Sequence, residues 1–185
     1  MGSLIQFLVC CALALASATA AGPIRDIDGR EMRLFRAPQT ANVLLFVTSD
    51  CPISNGYAPD IQRLCAEYKA RGVSCSLIYE DATIEVAAVR KHLADYRYRG
   101  IAAAIDDRAR VAREVNATVT PQAVVIDASG TVRYRGRIDN RYVDFGKSRR
   151  VVTERDLKDA LDAVIAGRAV ARAETAPVGC FIANR

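Results

Sequence analysis

The tightest constraint on this chain is the stretch Val43 to Asn55, VLLFVTSDCPISN, where five consecutive apolar residues run through Thr48-Ser49-Asp50 into Cys51-Pro52. A run as continuously apolar as Val43 to Val47 cannot be an edge strand with one wet face, so it predicts a central strand of a sheet covered on both sides. Proline is at home at the first helical position, where its missing N–H costs nothing, and Pro52 therefore predicts a helix beginning directly after Cys51. A helix start offers free N–H groups and the positive end of the macrodipole. Both favour a thiolate over a thiol, which makes Cys51 a candidate nucleophile.

The rest of the chain supplies partners for that strand. Ile24 to Leu34 alternates around Asp28-Gly29 and predicts a short covering β-hairpin. The helix after Cys51 carries Ile53, Tyr57, Ile61, Leu64, Cys65 and Tyr68 at three- and four-residue spacing until Arg71-Gly72, with a kink expected at Pro59. A strand Val73 to Tyr79, a helix from about Thr83 to Tyr96, a strand Ile101 to Ile105 and a short helix Arg108 to Val115 follow. Thr118 to Asp127 reads as a strand entered through Thr120-Pro121, turned at Ala128-Ser129-Gly130 into an antiparallel partner, Thr131 to Asp139. Asn140 to Arg150 reads as a loop, and Glu154 to Ala166 as a last amphipathic helix. This order predicts an α/β fold with a mixed sheet, parallel first and antiparallel last, and helices on both faces. The tail Gly167 to Arg185 lacks periodicity, but its apolar cluster Gly179-Cys180-Phe181-Ile182 is expected to dock. The single histidine, His92, has Arg90 and Lys91 as neighbours and reads as a surface residue.

At 185 residues the chain suffices for one well-filled domain. The formal charge of +5 comes from 26 Lys and Arg against 21 Asp and Glu, with a basic concentration from Arg133 to Arg150. Interspersed acids make that segment a solvated strand and loop, and no nucleic-acid partner is expected. The first 22 residues carry no charged side chain and end their apolar run at Ala18-Thr19-Ala20, an A-x-A site. They predict a signal peptide over 1–20 and an exported, periplasmic or extracytoplasmic protein; left uncleaved, the segment would anchor the chain to a membrane. Removing Cys10 and Cys11 with the signal leaves Cys51, Cys65, Cys75 and Cys180. None of these is spaced like a zinc site, and no metal or other cofactor is expected. Cys65 lies fourteen residues along the helix, roughly 20 Å from Cys51 at 1.5 Å per residue. It flanks the helix-to-strand turn with Cys75, where the two form either a structural disulfide or a pair of inert apolar thiols.

The sheet order, Thr48-Ser49-Asp50-Cys51-Pro52 after the first core strand, Val119-Thr120-Pro121 before the fourth, and Ile126-Asp127 with Gly130 together resemble the thioredoxin-like superfamily, in particular exported redoxin-domain proteins. The resemblance spans residues 23–166, with 167–185 left as a C-terminal tail. It implies a three-layer fold, a cis Thr120-Pro121 bond lying against Cys51, and a substrate peptide received along Pro52, Thr120 and Pro121.

Two departures shape the functional reading. Cys51-Pro52-Ile53-Ser54 has serine where a dithiol thioredoxin has its second cysteine, so the motif cannot resolve its own mixed disulfide. Ser54 is then a candidate hydrogen-bond donor to the Cys51 thiolate, and Asp50 beside the sulfur moderates its activation. Thr48-x-x-Cys51 matches the peroxidatic loop of peroxiredoxins, but Leu44 stands where their proline would be and Pro121 about where their peroxide-orienting arginine would be; Arg137 or Arg149 would have to replace that cation.

The favoured reading is a thiol-disulfide oxidoreductase acting on a thiol or disulfide substrate protein through Cys51. The second is a peroxiredoxin-like peroxidase, with peroxide as substrate, Thr48 in the peroxidatic loop and Cys180 as resolving thiol. The third is a non-enzymatic module that binds a metal or a partner protein, disfavoured because soft-metal sites need convergent ligands.

Overall fold

A computed structural model of the protein describes residues 23–35, 40–81, 83–106 and 108–182. The apolar leader, including Ala18-Thr19-Ala20, lies outside the described residues. The elements run β1 (Ile24–Arg25), β2 (Glu31–Met32), β3 (Ala41–Val47), α1 (Pro52–Lys69), β4 (Val73–Tyr79), α2 (Val86–Asp95), β5 (Ala102–Ile105), α3 (Arg110–Glu114), β6 (Val119–Thr120), β7 (Gln122–Asp127), β8 (Val132–Gly136), β9 (Tyr142–Asp144), β10 (Lys147–Ser148), α4 (Asp156–Ile165) and β11 (Cys180–Phe181).

The central sheet has the order β5-β4-β3-β7-β8. β3 is parallel to β4 and antiparallel to β7, so the chain is parallel on one side of β3 and antiparallel on the other. All seven β3 residues are buried, as a strand covered on both faces requires. Its alternate side chains divide two cores. Ala41, Val43, Leu45 and Val47 pack with Tyr57, Ile61 and Tyr68 of α1 and with Leu157 and Leu161 of α4. Leu44 and Phe46 pack with Leu34, with Val111 and Ala112 of α3, and with Ile182 from the tail. This two-period division of one strand between two layers builds the thioredoxin-like fold.

α1 runs unbroken through Pro59. Cys65 on α1 and Cys75 on β4 are joined by a disulfide, the first of the two arrangements open to them. The segment read as a loop after Asn140 forms the β9–β10 hairpin, which lies over the start of α1. Tyr142 sits edge-on to Tyr57 with ring centroids 5.1 Å apart, and Arg141 lies 5.1 Å from the centre of the Tyr57 ring.

The tail is stitched down in two places. Arg135 N–H donates to the Ala173 carbonyl and Thr175 N–H to the Arg135 carbonyl, fixing residues 173–175 beside β8. Beyond that point β11 pairs antiparallel with β6, Cys180 opposite Thr120 and Phe181 opposite Val119.

Candidate active site

Cys51 is the N-cap of α1, in extended conformation, with Pro52 at the first helical position and no acidic residue in the first turn. Its sulfur is buried, at 1% residue exposure. Burial alone would raise the thiol, but the Cys180 side chain and the backbone N–H groups of Ser54, Cys180 and Ile53 outweigh it and hold Cys51 below the ordinary cysteine range. The stabilising groups are those that the helix start and the docked tail provide.

Cys180 Sγ stands 2.6 Å from Cys51 Sγ and donates to it. Its own thiol is pushed up to about 12 by burial, by that hydrogen bond, and by the charges of Cys51 and Asp50. The pair is therefore asymmetric, with Cys51 losing its proton first and Cys180 holding its own. The Cys51 thiol in turn lies 3.3 Å from the Thr120 carbonyl oxygen, to which it donates while protonated. The Thr120-Pro121 peptide is cis, and the Thr48 and Thr120 hydroxyls lie 3.1 Å apart. Thr48, Cys51, Thr120, Pro121 and Cys180 thus converge, and Pro52 lies exposed at their rim.

Ser54 corrects an expectation. Its hydroxyl is buried with no hydrogen-bond partner, and it is the backbone N–H of residue 54, which any side chain would leave in place, that acts on the Cys51 sulfur. The cations considered for a peroxide site also fall elsewhere. Arg137 is held by Asp156 and Glu154, and Arg149 is exposed beyond β10. Among the described residues no three His, Cys, Asp or Glu side chains converge as a metal site would require.

His92 is not a surface residue. It is buried at 6% exposure, because its spacing of three from Val89 puts it on the inward face of α2. Asn55 Nδ2 donates to the Ser49 carbonyl at 2.8 Å, so Asn55 Oδ1 accepts from His92 Nε2–H, also at 2.8 Å. His92 Nδ1 is then left to accept from the Tyr79 hydroxyl at 2.7 Å. This assigns a neutral imidazole with its proton on Nε2, and a buried relay from β4 through α2 to the loop that presents Cys51. The helical spacing from Val89 was the available signal, and the charges of Arg90 and Lys91 concealed it.

A mixed sheet with a Cys-Pro helix start facing a cis Thr-Pro strand defines a thioredoxin-like redoxin. The AhpC/TSA family model matches residues 16–135, well over half of the chain, and the chain belongs to that family. Its fold is similar to that of a hypothetical protein from Sinorhizobium meliloti 1021, at 24% identity, 87% of this chain and 89% of that one, and a TM-score of 0.73. An uncharacterized conserved protein from Geobacillus kaustophilus matches at 24% identity, 86% of each chain and a TM-score of 0.76. A putative thiol:disulfide interchange protein DsbE from Chlorobium tepidum matches at 20% identity, 79% of this chain and 91% of that one, and a TM-score of 0.56. No curated protein matches the chain.

Proposed function

We propose that the protein is an exported thiol-disulfide oxidoreductase in which Cys51 is the attacking thiol and Cys180 the resolving one. The observation that carries this reading is the 2.6 Å separation of the two sulfurs, in a motif whose serine denies Cys51 a partner of its own. The Cys51 thiolate attacks one sulfur of a substrate protein's disulfide, forming a mixed disulfide and releasing the other sulfur as a thiolate that takes up a proton. Cys180 then attacks Cys51 Sγ, freeing the reduced substrate and closing a Cys51–Cys180 disulfide that an external dithiol reopens. The asymmetry of the pair suits this order. Once Cys51 is in a mixed disulfide its charge and its hydrogen bond no longer hold the Cys180 proton, and the Cys180 thiol moves down from its resting value, with burial and Asp50 still raising it.

The domain over 23–166 supplies the nucleophile and the receiving edge at Thr120-Pro121, and the tail 167–185 supplies the second thiol. The fold neighbour from Chlorobium tepidum, which bears the name of a putative thiol:disulfide interchange protein, supports the same reading. A C51S variant tests it in an insulin-reduction assay with a dithiol reductant. Loss of all turnover above the uncatalysed rate is expected, and unchanged turnover would overturn the proposal.

Family membership favours a second reading, a peroxidase in which Cys51 becomes a sulfenic acid and Cys180 condenses with it, expelling water. The carbonyl of Thr120 beside the sulfur weighs against it, since a peroxide needs donors there. One equivalent of hydrogen peroxide separates the readings: rapid Cys51–Cys180 closure on peroxide favours the peroxidase, and closure on protein disulfides alone favours the oxidoreductase.

A further inference from the structure

The tail does more than deliver a thiol, because it pairs as an extended strand with Val119-Thr120, the edge assigned above to the substrate, and sets a cysteine against Cys51. Three of its positions meet different surroundings. Gly179 is pressed against backbone: a Cβ there would stand 2.2 Å from the Thr120 carbonyl oxygen, 2.7 Å from its carbon and 3.1 Å from Pro121 N. Those atoms belong to the strand that also contacts the Cys51 sulfur, so they cannot recede without dismantling the site. Phe181 is 83% exposed and meets almost nothing. Ile182 donates its N–H to the Thr118 carbonyl at 3.0 Å and buries its side chain in the core beneath β3.

Resting on the oxidoreductase reading, we infer that the tail is a template of the substrate. Cys51 selects disulfides in which one cysteine follows a glycine directly, lies in an extended segment antiparallel to Val119-Thr120, and precedes an aliphatic residue by two places. The position between cysteine and aliphatic is unselective. The chemistry is exchange: Cys51 Sγ bonds to the selected cysteine, the substrate's S–S bond breaks, and the electron pair leaves on the other sulfur. Only the end of the tail has to move for a substrate to enter, since residues 173–175 remain fastened beside β8 and hold Cys180 ready to return.

The test uses full-length protein carrying Gly179→Ala and Cys180→Ser. The added methyl unseats the strand from Thr120, and the serine keeps the mixed disulfide from resolving. Four peptides containing Val-Gly-Cys-Phe-Ile, Val-Ala-Cys-Phe-Ile, Val-Gly-Cys-Phe-Asp or Val-Gly-Cys-Ala-Ile, each with its cysteine capped as a thionitrobenzoate disulfide, are compared by release of thionitrobenzoate. The alanine-before-cysteine and the aspartate peptides are expected to react at least about tenfold more slowly than the first, and the last at the same rate as the first. Equal rates for the glycine and alanine peptides would overturn the inference. Dithiobis(nitrobenzoic acid) itself, which needs no peptide groove, is the control: reaction with it but no peptide preference sinks the selectivity alone, and no reaction with it sinks the oxidoreductase reading too. Ile182→Asp with Cys180→Ser unseats the tail from its other anchor and must give the same ranking of peptides.

Discussion

Ser54 and His92 are the two residues whose roles the folded chain redistributes. Serine at the place of a second cysteine suggests a donor to the thiolate, yet its hydroxyl is buried without a partner while its backbone N–H acts on the sulfur. Ser54→Ala should accordingly leave the Cys51 thiol titration in place and raise stability by about 1 kcal/mol, as a buried unsatisfied hydroxyl is removed; thiolate absorbance against pH, with urea unfolding, checks both. A marked upward shift of the Cys51 titration would show that the hydroxyl matters. His92 makes a pH prediction. Burial holds its imidazole below the ordinary 6.5, so on acidification the unfolded chain binds a proton before the native one does, and stability falls as pH drops through 6.5 and below. The slope approaches about 1.4 kcal/mol per pH unit for one proton. Comparing wild type with His92→Gln by urea unfolding at about pH 7.5, 6.5 and 5.5 isolates this histidine, and the difference between the two proteins should change in that window.

At the scale of elements, β3, α1, β4 and the β7–β8 hairpin were legible because each carries its own period and its own stop: Gly72 after α1, Gly130 between β7 and β8. β9 and β10 were not, since Tyr142 alone packs against the core while Val143, Phe145 and Lys147 are exposed, and one inward residue imposes no alternation. The docking of β11 was visible only as an apolar cluster. Its register depends on Gly179 meeting Thr120 across 59 positions of sequence, which no local pattern encodes. Cys65 and Cys75 were a pair with two open fates, settled by how α1 packs on β4. Their disulfide closes a separation of ten residues, for which loop entropy gives about 2 to 3 kcal/mol. A Cys65→Ala/Cys75→Ala variant should lose that much stability in urea and keep its Cys51 reactivity, because the bond lies at the far end of α1. Loss of Cys51 reactivity in a folded variant would instead make the second pair part of the catalytic cycle.

Across the whole molecule, the two cysteines of the proposed cycle lie 129 residues apart and meet at one pair of sulfurs. Everything between them serves that meeting: the sheet places Thr120 beside the start of α1, the contacts of residues 173–175 with β8 aim the tail, and Gly179 lets it close on the strand. The candidate nucleophile could be read from Val43 to Asn55 alone. Its partner could be named but not placed, because a tail without periodicity carries no signal of where it lands. The most direct test is the disulfide map of full-length protein after one equivalent of a disulfide oxidant, by mass spectrometry of peptides with free thiols alkylated. The account predicts a Cys51–Cys180 link within one chain, formed in a monomer and independent of protein concentration, beside an intact Cys65–Cys75 bond. Free Cys180 with Cys51 oxidised, or a link formed only between chains, would contradict it.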